Sequence, residues 1–286
     1  MASSTTMEGN WRVCRVDSRT TRYGDPYRVI TLSTAYEQLN AFLWPAVDVE
    51  PESLAKGAVV KAALEPRELG GRTFHALLGM ERVNPQGVSG IAMLPRAACA
   101  DCASLDAMLE ILLDLPPCLT DFVANVMTGD TGMQFVTVPA SFSFHHARAS
   151  GLLTHSVDCA RRFRLASDGF NDDEVAVGTV ASLLHDVGKA RTLDSRGRNT
   201  SLGRMVSHEA LTLEVCARAL GELEGRWAWA AHTLRKVWMW RVGPNVDWRK
   251  QPSLAIAVQA ADRLSSELNK REGQAFAREV YAHAAR

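Results

Sequence analysis

The pattern of apolar and polar positions divides the chain into two unlike parts. Between residues 11 and 83, apolar and β-branched side chains occur in short runs separated by turn residues such as Gly24-Asp25-Pro26 and Gly70-Gly71. The runs predict five strands, at residues 11–16, 27–32, 38–44, 59–64 and 73–80. Several short strands this close together predict a small β-barrel, because closure removes the exposed sheet edges.

The second part of the chain has the spacing of amphipathic helices. The predicted helices cover residues 105–115, 119–127, 151–165, 173–187, 206–220, 226–240 and 252–268. The predicted fold class is therefore α+β multidomain, with a small N-terminal barrel followed by an all-α domain. The predicted boundaries are a disordered N-terminus at 1–10, the barrel at 11–83, a linker at 84–102 and the helical domain at 103–286.

Composition narrows the class of protein and its compartment. A hydrophobic content of 47% and a charged content of 22% are typical of a soluble globular protein. The 32 basic and 32 acidic residues cancel, so any site for a polyanion must be a local patch. The six cysteines are scattered, and no signal peptide or apolar run of about 20 residues is visible. We therefore expect a cytoplasmic protein that does not bind a membrane.

One stretch organises the helical part: Leu183-Leu184-His185-Asp186-Val187-Gly188-Lys189. It lies at the end of a predicted helix, where adjacent residues point about 100° apart, so a cation over the last turn can take an imidazole nitrogen and a carboxylate oxygen together. A His near a helix C-terminus also has an ordinary structural explanation, since it favours the helix dipole. Further ligands are available in His155, His208, His232 and Asp262. Asp262 lies in a strongly apolar segment, where an unpaired carboxylate is costly to bury.

Two other groups of residues are candidates for substrate binding. Five basic residues and one acid, Asp194, lie between positions 189 and 204; the basic residues are Lys189, Arg191, Arg196, Arg198 and Arg204. Such runs are usually solvated loops, but the position beside a metal site favours phosphate recognition. In the barrel, Tyr27 and Trp44 are candidate stacking platforms for unpaired bases, together with Arg22, Tyr23, Arg28, Phe42, Arg72 and Phe74. Taken singly, each barrel aromatic is more often a core residue than a platform.

The motifs of the helical part resemble those of a known superfamily. They are Pro139-Ala140-Ser141, His145-His146, Gly151-Leu152-Leu153-Thr154-His155, the stretch from Leu184 to Lys189, Gly203 with His208, and Asp262. The series resembles the HD-domain superfamily of metal-dependent phosphohydrolases. Together with the barrel, whose strand and turn order is similar to OB-folds, it resembles the YhaM-type 3′→5′ exoribonucleases. The helical part also resembles the HD domains of TraI-type conjugative relaxases.

This resemblance implies a divalent-metal site and a set of roles. A first ion would be held by His155, His185, Asp186 and Asp262, and a second by His208 and His232, with Asp186 bridging the two. Mn²⁺, Mg²⁺ or Fe²⁺ suits the mixed imidazole and carboxylate set. Asp186 and Lys189 would act in catalysis. His145 and His146 would contact substrate or transfer protons, or else have a structural role at the start of the following helix.

The chain departs from the YhaM-type pattern at two places. A Ser-His-His-Gly run is expected about one turn beyond His232, where this chain has Lys236-Val237-Trp238-Met239. His232 substitutes for that run, or the second metal is lost; both readings stay open at this point. The usual Gly-Gly before the Leu-Leu-x-His run is Ser150-Gly151 here, and Ser150 is expected to cap the helix.

The leading hypothesis is a metal-dependent phosphodiesterase, a 3′→5′ exonuclease whose partner is single-stranded RNA or DNA. One alternative is an HD phosphohydrolase of a small nucleotide, with the barrel serving assembly. The other is a conjugation-related nucleic-acid-binding accessory protein with a degenerate metal site. The sequence also permits a homo-oligomer.

Overall fold

The computed structural model describes residues 6–69, 71–83, 87–141, 147–240 and 252–284. Two of the candidate functional residues, His145 and His146, lie outside the described residues. None of the helices in the described ranges is both long and apolar enough to cross a membrane.

The N-terminal part is a closed five-stranded barrel, as the sequence predicts. Its strands are β1 (Met7–Thr20), β2 (Pro26–Ser33), β3 (Gln38–Leu43), β4 (Val59–Leu69) and β5 (Arg72–Arg82). They are hydrogen-bonded in the order β1-β2-β3-β5-β4, and β3 and β5 pair in parallel. β1 closes the barrel because its first half pairs with β4 and its second half with β2, with a bulge between Val13 and Arg15.

Alternating side chains of these strands fill the barrel interior. Trp11, Val13, Ile30, Leu32 and Leu64 are all buried there. Because side chains alternate across a strand, every second residue must face outward. Tyr27 of β2, Phe42 of β3 and Phe74 of β5 occupy outward positions, and Trp44 follows β3 directly; these four residues are described with the site below.

Two of the predicted boundaries differ from the structure. Met7 to Asn10, expected in a disordered N-terminus, belong to β1 and pair with β4 from Leu64 to Lys61. The segment 84–102, expected to be a linker, contains helix α1 (Gly87–Ala92), and its Ile91 and Leu94 are fully buried in the helical core. The correction has a simple physical reason: the apolar residues of a short segment are enough to anchor it against a neighbouring domain.

The helical part follows directly. Its longer helices are α2 (Cys102–Leu113), α3 (Pro117–Val126), α5 (Gly151–Leu165), α6 (Asp172–Leu184), α8 (His208–Arg226), α9 (Ala228–Met239) and α10 (Ser253–Ala284), with short helices α4 (Gly129–Phe135) and α7 (Lys189–Thr192) between them. One continuous apolar core joins them, and Phe122, Phe135 and Phe163 are among its largest side chains. α5, α6 and α10 pack against one another at its centre.

Helices α5 and α6 begin in different ways. Asn171 and Glu174 form a capping box at the start of α6, each side chain bonding the backbone N–H of the other residue. Ser150 does not cap α5 as expected. It adopts a left-handed backbone with φ of 60°, and its hydroxyl donates to the Val136 carbonyl at 2.6 Å and accepts from the Ala100 N–H at 2.8 Å. Those two bonds compensate for a conformation that glycine adopts more readily.

The barrel is fixed to the helical part by a buried arginine and two glycines. Arg12 is fully buried, and its guanidinium donates to the carbonyl oxygens of Gly57, Met127 and Gly90 at 3.1 to 3.3 Å. Burial lowers the pKa of Arg12 to about 10. A Cβ on Gly57 would lie 2.0 Å from the Gly129 backbone, so only glycine permits this approach. These contacts therefore fix the position of the barrel against the helices.

Candidate metal centre and substrate surfaces

Three helices and one helix end bring five of the six predicted ligands together. His155 lies on the buried face of α5, His185 and Asp186 follow α6, His208 begins α8, and Asp262 lies on α10. Gly178 of α6 allows close packing on α5, because a Cβ there would lie 2.1 Å from the ring of Phe163. The centroids of the His155 and His185 imidazole rings, on these two neighbouring segments, are 5.2 Å apart.

Four of the predicted ligand atoms form a compact group. His155 Nε2 lies 3.1 Å from Asp262 Oδ1 and 3.6 Å from Asp186 Oδ2. His185 Nε2 lies 3.7 Å and 3.4 Å from the same two oxygens. Two ligands about 2.1 Å from one ion are roughly 3.0 Å apart at a right angle and roughly 3.4 Å at a tetrahedral angle. The observed separations therefore fit a single divalent cation.

Hydrogen bonds at the opposite ring nitrogens orient both histidines. His185 Nδ1 lies 2.8 Å from the Ser182 carbonyl and must donate to it, which leaves Nε2 as the free lone pair of the neutral ring. His155 Nδ1 lies 3.1 Å from Ser265 Oγ. Among the described residues, His185 Nε2 is buried without a hydrogen-bond partner. A buried Nε2 aimed at two carboxylates is expected to bind a metal ion or, without one, to carry a proton.

The electrostatics of the cluster also suit a cation. Burial alone would raise the pKa of Asp186, but Lys189, His185 and His208 outweigh it and hold that pKa well below its usual range. Burial would also raise the pKa of Asp262, but the adjacent imidazoles of His155 and His185 outweigh burial and lower that pKa. Both carboxylates are ionised at neutral pH. Without a metal, they raise the pKa of His185 to about 10 against the effect of burial.

Asp186 connects this group to two further predicted residues. Its Oδ2 lies 2.6 Å from Lys189 Nζ, and its Oδ1 lies 3.0 Å from His208 Nε2. The approach of α8 depends on Gly188, where a Cβ would be 2.0 Å from the His208 carbonyl oxygen. Thr212 supports the same turn, since its hydroxyl accepts from Gly188 N–H at 3.3 Å and lies 3.0 Å from the His185 carbonyl. One carboxylate oxygen of Asp186 therefore faces Lys189, and the other faces His208.

A cavity of about 300 Å³ adjoins Lys189 and His208. Its other lining residues are Ala140, Ser141, Thr192, Leu193, Asn199, Gly203, Val206 and Ser207. The lining combines apolar side chains with a few hydroxyl and amide groups, as in many pockets for small organic ligands.

His232 is not part of the cluster. It lies on α9 with 61% of its side chain exposed, and its Nε2 is 2.9 Å from Glu224 Oε1. Arg235 binds the other oxygen of Glu224 at 2.8 Å. The Trp238 indole, at the place of the expected His-His run, donates to the Ala181 carbonyl at 3.0 Å. In the described part of the chain, the structure thus brings His208 to Asp186 and leaves His232 hydrogen-bonded to Glu224 at the surface.

The basic loop is partly neutralised by its own acids. Arg198 forms an ion pair with Asp194 at 3.0 Å, and Arg191 pairs with Glu214 at 2.7 Å. Arg204 donates to the Asn199 carbonyl at 3.3 Å. For Arg196, the described contact is the backbone N–H donating to Asp194, and the residue is exposed. Arg196 is therefore the best placed of these arginines to meet a phosphate.

The barrel aromatics form a row on its outer face, not in its core. Tyr27 stacks on Trp44 with ring centroids 5.1 Å apart, Phe42 lies 6.1 Å from Tyr27, and Phe74 meets Phe42 edge-on at 5.5 Å. All four are half-buried. The expectation that each of these aromatic residues lies in the barrel core is therefore wrong for these four. Beside it is a cavity of about 410 Å³ lined by Tyr27, Trp44 and residues that include Arg19 and Arg28.

Sequence reasoning did not identify every residue of the site. Cys159, one turn after His155 on α5, has its Sγ 3.6 Å from His155 Nε2 and belongs to the same group of possible ligands. Burial and the carboxylates of Asp262 and Asp186 raise its pKa well above the usual value. Ser265, three residues after Asp262, was also missed. Both follow at helical spacing from a predicted ligand, which is the signal that was available.

Comparison with known proteins agrees with this geometry. The family model described as HD domain matches residues 152–267, which include all of the predicted metal ligands. The 3′-5′ exoribonuclease YhaM of Bacillus licheniformis is 21% identical over 207 residues, or 70% of this chain and 65% of the relative. The protein of the same name from Oceanobacillus iheyensis is 22% identical over 211 residues, 72% of this chain and 66% of the relative.

The corresponding Bacillus subtilis protein is 21% identical over 204 residues, 70% of this chain and 65% of the relative. The chain therefore spans about 65% of the length of the relatives that it matches. Residues 152–267 thus match the HD-domain family, and the chain is similar to the YhaM 3′-5′ exoribonucleases over about 70% of its length.

Proposed function

We propose that this protein is a metal-dependent nuclease that removes nucleotides from the 3′ end of single-stranded RNA or DNA. One observation carries the proposal: two buried imidazole Nε2 atoms and two ionised carboxylates lie 3.1 to 3.7 Å apart. No ordinary structural role requires that convergence. The intact group also favours activity over a degenerate metal site.

The residues have distinct roles in this proposal. His155, His185, Asp186 and Asp262 would hold a divalent cation such as Mn²⁺, Mg²⁺ or Fe²⁺, which supplies Lewis acidity and a bound water of lowered pKa. The ammonium of Lys189, held by Asp186 and facing the 300 Å³ cavity, offsets negative charge that develops on the phosphoryl oxygens. His208, on the other oxygen of Asp186, is placed to hold a second ion or to contact the phosphate.

The barrel supports a single-stranded substrate. Stacked bases in a duplex do not present their faces to aromatic side chains, whereas unpaired bases do. The half-buried row of Tyr27, Phe42 and Trp44 offers such a surface. The names of the similar proteins support RNA and the 3′-to-5′ direction.

A second candidate is hydrolysis of a small nucleotide. The cavity of about 300 Å³ beside Lys189 and His208 favours it, because its size suits one nucleotide unit. An exonuclease would use the same cavity for the terminal nucleotide, so the two readings differ only in whether a longer strand is accepted.

The experiment uses the full chain with Mn²⁺ and 5′-labelled single-stranded RNA and DNA. We expect a ladder of products shortened from the 3′ end and no cleavage of a circular single strand. Asp186→Asn should lower the rate at least about a hundredfold, because it removes a charged metal ligand. His232→Ala, a surface histidine outside the cluster, is the matched control and should retain the parent rate. Cleavage of mononucleotides alone selects the second candidate, and a fully active Asp186→Asn with unchanged metal content rejects both.

A further inference from the structure

Cys159 is a thiol in the middle of an otherwise nitrogen- and oxygen-based ligand set. Its side chain is fully buried, and its Sγ lies 3.6 Å from Nε2 and 3.7 Å from Nδ1 of His155. His155, Cys159, His185 and Asp262 each offer one ligand atom, and these four atoms all lie within 4.8 Å of one another. The near-equal distances to the two ring nitrogens put the sulfur beside the imidazole, so coordination of an ion at Nε2 requires rotation of the Cys159 side chain about its Cα–Cβ bond.

The other buried cysteines of the helical core show what an ordinary thiol looks like in this protein. Cys216 on α8 is fully buried within the apolar core, and burial alone raises its pKa to about 12. Cys159 differs because two imidazoles and a carboxylate surround it. A buried position among polar groups has no packing advantage for cysteine, which behaves as a small hydrophobe elsewhere.

We propose that Cys159 is a ligand of the metal held by His155, His185 and Asp262, and that it makes the site selective for thiophilic divalent ions. This inference rests on the metal site of the proposed function. On binding, the thiol proton leaves to solvent and the thiolate sulfur coordinates the ion. A metal–sulfur distance of about 2.3 Å and a metal–nitrogen distance of about 2.1 Å at a tetrahedral angle place the two ligand atoms roughly 3.6 Å apart. The present Sγ–Nε2 separation is 3.6 Å, so the side-chain rotation has to change the direction of the sulfur and not its distance from Nε2.

The consequence is a change in metal preference. Thiolate favours Fe²⁺, Co²⁺ and Zn²⁺, while Mg²⁺ and Mn²⁺ prefer carboxylate, carbonyl and water oxygens. An HD centre built only from His and Asp would discriminate less between these ions. Cys159 therefore selects the ion that the centre holds when several are present.

Cobalt reports directly on the sulfur ligand. The full chain, freed of metal with a chelator and dialysed against limiting Co²⁺, should retain cobalt and show a sulfur-to-cobalt charge-transfer absorption in the near ultraviolet. Cys159→Ser should retain cobalt but lose that absorption, and its affinity for Zn²⁺ relative to Mn²⁺ should fall about tenfold or more. Cys216→Ala, a buried cysteine away from the cluster, should keep both.

Each outcome decides the matter. A parent protein that retains cobalt without the charge-transfer absorption overturns the role of Cys159 and leaves the proposed function standing, even if Cys159→Ser fails to fold. Persistence of the absorption in Cys159→Ser also overturns it. A parent protein that binds no cobalt, zinc or manganese at all overturns the metal site and the proposed function with it.

Discussion

At the scale of single residues, Asp186 is where the contacts of the candidate centre converge. One of its oxygens faces His155, His185 and Lys189, and the other faces His208. A carboxylate with partners on both sides can serve one ion or bridge two, so the number of metals depends on what His208 binds. Lys189 is the only lysine of this group in the described residues, and its ammonium lies 2.6 Å from Asp186.

The role of Lys189 can be separated from metal binding. Lys189→Ala should lower kcat about a hundredfold, since a fixed positive charge beside the reacting phosphate is lost, and should change substrate affinity much less. Single-turnover rates and equilibrium binding of single-stranded RNA measure the two effects. Arg196→Ala is the control on the basic loop, where affinity should weaken with the turnover rate retained. Equal losses in binding for both variants would contradict the assignment of Lys189.

At the scale of helices, the centre depends on how closely α8 approaches the turn after α6. Gly188 has an ordinary helical φ of −59°. Glycine is needed there because a side chain would collide with the His208 carbonyl.

Asp101 connects helix α2 to helix α5, which carries His155. It caps α2 by accepting from Ser104 N–H at 3.0 Å and also accepts from the hydroxyl of Thr154, the neighbour of His155 on α5, at 2.8 Å.

Substitution of Gly188 tests the close approach. In Gly188→Ala the new Cβ would overlap the His208 carbonyl, so α8 must move away, with a loss of about 1 to 3 kcal/mol in the free energy of unfolding. Nuclease activity should fall because His208 leaves Asp186. Gly221 lies on α8 with open space around it, so Gly221→Ala should raise the free energy of unfolding by about 0.5 to 1 kcal/mol. Urea unfolding of both variants is the measurement, and equal stability of the two would rule out the packing argument.

The connection through Asp101 predicts a dependence on pH. Burial alone would raise the pKa of Asp101, but hydrogen bonds from Ser104 and Thr154 outweigh burial and lower that pKa. A carboxylate whose pKa is lower in the folded state adds stability above its unfolded value of about 3.9 and loses that stability as pH falls through the folded value. Asp101→Ala should therefore cost about 1 to 2 kcal/mol at neutral pH and clearly less near pH 3.

The control for Asp101 is Asp114, at the other end of α2. Its ion pair with Arg164 is 61% exposed on the carboxylate side, so Asp114→Ala should change the free energy of unfolding by less than about 0.5 kcal/mol at either pH. A cost of Asp101→Ala that stays constant from pH 7 to pH 3 would count against the ionised carboxylate as its source.

At the scale of the whole molecule, the barrel and the helices are fixed to each other by buried polar contacts. Arg12 reaches two carbonyl oxygens across the junction, those of Met127 and Gly90, and Gly57 packs on Gly129. A second contact lies at Arg96, whose N–H donates to the Ala35 carbonyl at 3.1 Å and whose guanidinium lies 5.6 Å from the Tyr36 ring. A strand bound by the barrel would therefore have a constant orientation relative to the metal centre.

The aromatic row predicts how the barrel contributes. Replacing both Tyr27 and Trp44 by alanine should weaken binding of single-stranded RNA by about 1 to 3 kcal/mol for each base that loses its stacking partner. Metal content and hydrolysis of a dinucleotide should not change. Tyr36→Ala, an 87% exposed tyrosine outside the row, should bind like the parent. Fluorescence titration with a labelled oligonucleotide measures this, and unchanged affinity of the double variant would remove the barrel from substrate binding.

Much of the candidate site could be predicted from the sequence because its determinants are local. Adjacent residues at a helix end present their side chains about 100° apart, so His185 and Asp186 could be predicted as a pair of candidate ligands before any packing is known. The same holds for the barrel, where alternating runs and glycine turns define strands without knowledge of their partners. The resemblance carried by these motifs then supplied His155 and Asp262.

What the sequence could not decide is which faces meet. His208 and His232 are equivalent as residue types, but only the packing of α8 on the turn after α6 brings one to Asp186 and leaves the other beside Glu224. Alternation in β2 and β3 divides the side chains into two faces without stating which face is inside, so Tyr27 and Phe42 are assigned to the surface only by closure of the barrel. Cys159 has the same explanation: helical spacing puts it on the face of His155, and only the arrival of α6 and α10 surrounds it with ligands.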